Sequence, residues 1–161
     1  MDRCEICNIE IGCLTEEEKE ETAGLCGNCY YGIYGDKIEG SVITSYLSKI
    51  EELKDEGYIP IVIMRYPFSW VRKIKGVRIC KELSPTDNTL KLWKSGEISK
   101  ERFNQKYREE IDMNVLAEIV GGVIEGNKIA LLCCEKNEQE CHRSILAEIM
   151  YEVYGLEVKE W

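Results

Sequence analysis

IALLCC, residues 129–134, is an unbroken apolar run that stops abruptly at Glu135. A short continuous run of this kind reads as a strand buried on both faces, as strands are inside a parallel sheet. IPIVIM, residues 59–64, repeats the pattern and stops at Arg65. Helical periodicity flanks both runs. SYLSKIEELKDE (45–56) places Leu47, Ile50 and Leu53 at helical spacing ahead of Gly57. Phe103, Tyr107, Ile111, Val115 and Ile119 recur at intervals of four. They predict one long amphipathic helix or two consecutive ones over 99–120, broken at Gly121-Gly122 or capped at Gly126-Asn127. Ile145, Leu146, Ile149, Met150 and Val153 predict a last helix closing at Gly155, followed by an edge-like LEVKE. Strands alternating with helices predict an α/β fold: a small, mostly parallel open sheet of about four or five strands, with helices on both faces and right-handed crossovers.

The composition agrees with a folded domain. In 161 residues, 44% are apolar, 32% are charged and 3 are Pro, which excludes disordered and low-complexity classes. One sizeable core fits this length, and two do not. The formal charge of -9 argues against broad duplex DNA binding, which needs a basic face to displace counterions. A local positive pocket remains compatible with it. No apolar stretch nears the roughly 20 residues that span a bilayer, and the acidic, cysteine-bearing start is unlike a secretory leader. With nine cysteines, an odd number, the expected compartment is a reducing cytoplasm, where thiols bind metal, catalyse or pack.

Four of these cysteines form two Cys-x-x-Cys pairs, Cys4/Cys7 and Cys26/Cys29, with 18 residues between the pairs. Each pair presents two thiolates at one vertex, so two pairs complete a closed tetrahedral site. The spacing predicts a zinc-ribbon-like module over residues 1–36 with a structural Zn2+, ahead of the α/β domain at 37–161. Such a metal folds a segment too short to bury a core of its own. Cys13 is the spare thiol. Thr15 followed by Glu18 opens a charged surface helix. The run YYGIYG (30–35) reads as packing onto the next domain, with base stacking as the alternative.

Arg65 and Glu135 each stand where a buried strand meets its carboxyl-end loop, the edge at which open α/β sheets bind ligands. The chain re-enters a helix at Cys141-His142-Arg143 over the same edge. A helix amino terminus beside arginines suits phosphate or carboxylate, and it lowers a cysteine pKa. The candidate pocket is therefore Arg65, Ser69, Glu135, Cys141, His142 and Arg143. The competing reading makes His142, the sole histidine, a core residue and pairs Glu135 with an arginine in a buried ion pair. Cys133 and Cys134 read as core residues. A redox pairing of Cys141 with Cys134 ranks below both. A phosphatase-type nucleophile loop is rejected: the interval from Cys134 to Arg143 is too long, and Cys141 is too close.

The segment LLCCEKNEQECHRSILAEI (131–149), together with MRYPFSW (64–70) and the KELSPT (81–86) and FNQKYREEI (103–111) stretches, resembles the family known as domain of unknown function 488. The resemblance covers about residues 38–161. It implies a compact α/β domain with no established activity. The motif positions it matches are Arg65 with Pro67 and Ser69, Glu135, and Cys141-His142-Arg143. Family members usually carry an Asp-x-Arg arrangement at the Arg65 position, whereas here Ile63 and Met64 precede it. The four-cysteine module is an addition to the common form. Two functions follow as expectations. One is a pocket for an anionic small molecule or nucleotide. The other is a non-catalytic adaptor whose zinc module contacts RNA or a protein partner.

Overall fold

The computed structural model describes residues 40–135 and 141–161. The four-cysteine module with Cys13, the charged helix after Thr15, the Tyr-Gly run and the boundary at 36/37 lie outside the described residues.

Five strands form one sheet: β1 (Ser41–Tyr46), β2 (Ile59–Val62), β3 (Arg78–Ile79), β4 (Lys128–Cys133) and β5 (Lys159–Glu160). Their order is β3-β2-β4-β1-β5, and every pairing is parallel. The helices are α1 (Ile50–Asp55), α2 (Ser69–Arg72), α3 (Asp87–Lys94), α4 (Lys100–Glu110), α5 (Met113–Ile124) and α6 (His142–Tyr154). The two apolar runs are the neighbours β2 and β4, in register from Ile59↔Ile129 to Val62↔Leu132. Side chains alternate across a strand, so each run feeds two cores. Ile61, Ile129, Leu131 and Cys133 pack with α4, α5 and α6, while Val62, Ala130 and Leu132 pack with α1 and α2.

Two expectations shift. SVITSY proves to be a central strand, so the helix expected from Ser45 begins only after it, as a 3-10 turn at Leu47–Lys49 leading into α1. Buried Thr44 and Ser45 interrupt the apolar pattern of β1. They are satisfied from the neighbouring tail, with Thr44 Oγ1 donating to Glu160 Oε2 (2.5 Å) and Ser45 Oγ to the Trp161 carbonyl (3.0 Å). The 99–120 segment takes the second of the two expected forms, two consecutive helices, but the break falls at Ile111-Asp112 and not at Gly121-Gly122. Ile111 is extended, and the Asp112 carboxylate accepts the N–H groups of Asn114 and Val115, capping α5. Gly121 and Gly122 continue α5, which is closed at Gly126-Asn127, as the capping alternative expects, with Gly126 at φ 107° and Asn127 N–H donating to the Gly122 carbonyl, and Gly155 closes α6 in the left-handed conformation (φ 68°).

Candidate functional site

The parallel order sets the carboxyl ends of β2 and β4 side by side, tied by Ile63 N–H donating to the Leu132 carbonyl (2.9 Å). Arg65 and Glu135 leave the sheet from this edge, and α6 starts over it. A cavity of about 500 Å3 opens there, lined by Arg65, Glu135, Cys133, Cys141 and His142 together with Trp93 and Phe103.

His142 is the best-anchored of these groups. It is buried, and its Nε2 lies 2.6 Å from the Ile63 carbonyl oxygen. A carbonyl only accepts, so Nε2 carries a proton and Nδ1 is the ring atom turned toward the thiols. Nδ1 lies 3.8 Å from Cys141 Sγ and 4.0 Å from Cys133 Sγ. Tyr107 meets the imidazole edge-on at 5.3 Å, and its hydroxyl donates to the Leu83 carbonyl (2.7 Å). Burial holds that phenol protonated well above its ordinary range.

The thiols are electrostatically unequal. The hydrogen bond from Cys133, joined by the neighbouring His142, draws the Cys141 thiol well below its ordinary range against the effect of burial. Cys133 moves up, held protonated by its hydrogen bonds to Cys134 and Cys141 and by burial. Cys80 is buried elsewhere in the same core and is pushed up to about 11, chiefly by burial.

The expected site residues divide between cavity and core. Arg65 is half-buried at the cavity wall. Its Nε donates to the Pro85 carbonyl (3.0 Å), and its two terminal nitrogens find no partner among the described residues. Glu135 is exposed at the mouth, within 3.7 Å of Cys134 Sγ. Ser69 is exposed at the start of α2, away from the cavity lining. Arg143 is fully buried: its Nε and one terminal nitrogen grip the Glu160 carboxylate at 3.2 and 2.8 Å, and the other terminal nitrogen donates to the Glu135 main-chain oxygen. It is therefore an internal tie rather than a ligand contact, with Glu160 and not Glu135 supplying the carboxylate. Cys141 adjoins Cys133, so a thiol pairing at this corner would use Cys133 rather than Cys134.

Sequence reading missed Glu160, Lys94, Trp93 and the cavity role of Cys133. Glu160 reaches Arg143 only because β5 joins the sheet beside β1. Lys94 and Trp93 come from α3, whose Thr86 cap and Glu110 partner were readable only as isolated polar residues.

Fold and site together define an all-parallel α/β domain with a thiol–imidazole cleft at the carboxyl edge of its central strands. The chain belongs to the family DUF488-N3a, described as the active DUF488-N3 subclade, whose model matches residues 43–153. Neither the comparison with curated proteins nor that with solved structures gives a match.

Proposed function

We propose that the cleft binds a small anionic ligand of nucleotide-like build. The carrying observation is Arg65, a half-buried guanidinium with two nitrogens unpartnered among the described residues, at the wall of a roughly 500 Å3 cavity. A planar fork of this kind matches phosphate or carboxylate. Lys94 adds a second basic side chain to the lining. Trp93, stacked on Phe103 at 5.0 Å, offers apolar surface to the remainder of such a ligand. An enzymatic use of the cleft accords with the description of the matched subclade as active. We also propose, on cysteine spacing alone, that Cys4, Cys7, Cys26 and Cys29 hold a structural Zn2+.

A thermal-shift panel tests the cleft, with phosphate, pyrophosphate, mono- and dinucleotides and small carboxylates as probes. A ligand at about 100 times its dissociation constant adds roughly 2.7 kcal/mol. Stabilisation by one anion class that disappears in Arg65→Ala is the expected result. A flat panel for the wild-type protein, or equal shifts in both proteins, refutes the reading.

A further inference from the structure

Cys133, Cys141 and His142 present three ligand atoms, two sulfurs and an imidazole nitrogen, within 4.8 Å of one another, all three residues buried and all lining the cavity. We propose that these three residues form a second metal site, of the kind that takes Zn2+, with its fourth coordination position open to the cavity.

Four observations carry this. The first is ligand chemistry, since two sulfurs and an imidazole nitrogen select zinc-like cations over magnesium or calcium. The second is distance. Tetrahedral zinc with its usual bond lengths separates sulfur from nitrogen by about 3.5 Å and sulfur from sulfur by about 3.8 Å. The sulfur-to-Nδ1 distances here are 3.8 and 4.0 Å, within a few tenths of an ångström of those values, and all three ligand atoms lie within 4.8 Å of one another. The chain turns between the adjacent ligands, because Cys141 is the extended N-cap of α6 and His142 its first helical residue.

The third is the anchoring of the imidazole. Nε2–H is committed to the Ile63 carbonyl, the outer hydrogen bond that fixes the tautomer of a metal-binding histidine and leaves Nδ1 as the ligand. Tyr107 packs against the ring and restrains its orientation. The fourth is charge. Two thiolates, a neutral imidazole and a divalent cation sum to zero, which suits a buried position far better than an unneutralised thiolate does.

Three protein ligands plus an open position is the arrangement of catalytic rather than structural zinc, where the vacancy takes water or a substrate oxygen. Here the vacancy faces the cavity that Arg65 lines, so an anion held by Arg65 would lie within the same enclosure as the metal. The metal site rests on its three ligands and does not depend on the anion reading. Arg65→Ala removes the anion subsite and leaves the ligand set intact, so failure of one proposal is distinguishable from failure of the other.

The test is cobalt(II) loading of the reduced, full-length protein under anaerobic conditions. Wild type is compared with Cys133→Ser and, in case loss of that buried thiol impairs folding, with His142→Gln. Folding is checked by circular dichroism. Each folded variant is expected to bind one equivalent less than wild type, whatever the amino-terminal cysteines take up. In wild type, added azide should shift the cobalt d–d spectrum, because only an open position admits an outside ligand. Equal stoichiometry in wild type and a folded variant overturns the proposal. So does a wild-type cobalt spectrum unmoved by azide, and that readout needs no variant.

Discussion

Glu160→Ala isolates the buried ion pair at Arg143. The guanidinium is wholly inside the protein, and the Glu160 side chain is 24% exposed. Removing the carboxylate therefore takes two charge-assisted hydrogen bonds from a buried cation, which keeps the main-chain oxygen of Glu135 among its partners. It also deprives Thr44 Oγ1 of its acceptor. Breaking a fully buried pair by removing one partner costs about 3–5 kcal/mol. Because water reaches one side of Glu160, about 2–4 kcal/mol is expected, a large share of the roughly 5–15 kcal/mol that holds a domain together. Glu160→Gln keeps one acceptor for the fork and should fall at about half that cost. Urea unfolding followed by tryptophan fluorescence measures all three proteins. The deficit should persist as salt rises, since a buried pair is weakly screened. A Glu160→Ala protein within about 0.5 kcal/mol of wild type, the scale of an ordinary surface change, would refute the account of Arg143 as an internal tie.

Other expectations follow from single contacts. Arg65→Ala should weaken anion binding about ten- to hundredfold, the equivalent of one charge-assisted hydrogen bond, and also cost about 1–3 kcal/mol of stability because the Pro85 carbonyl loses its donor; isothermal titration and urea melts read the two effects separately. Tyr107→Phe leaves the Leu83 carbonyl without its donor and should cost about 1–3 kcal/mol in the same melts. Gly40→Ala would place a Cβ 2.3 Å from the carbonyl oxygens of Val123 and Asn127. The backbone must shift, at about 1–3 kcal/mol, and a neutral substitution would contradict that close approach. Iodoacetamide at neutral pH should label exposed Cys134 well before Cys80. The Cys80 thiol, raised to about 11 by burial, stays protonated until the pH nears that value, and peptide mass spectrometry reads the order.

What the linear sequence determined is what short-range periodicity and chain stops can encode. IPIVIM and IALLCC announced two doubly buried strands because side chains alternate faces and both faces are covered. Gly155 announced the end of α6 because a left-handed C-cap favours glycine. Placing Arg65, Glu135, Cys141 and His142 near one edge followed from assuming those strands parallel, and they are. Tertiary structure decided the rest. β1 was hidden because its buried Thr44 and Ser45 are paid for by a tail more than a hundred residues away in the chain. Arg143 and Arg65 look alike in sequence, yet strand order hands Glu160 to the first and leaves the second facing the cavity. Cys133 and Cys134 both read as core residues because they end an apolar run; Cys133 is one, whereas Cys134 lies past the end of β4 and is exposed. Only the crossing of α6 over the sheet edge brings His142 Nδ1 to the Cys133 sulfur. Contacts of this kind depend on strand order and helix docking, which no local pattern of residues records.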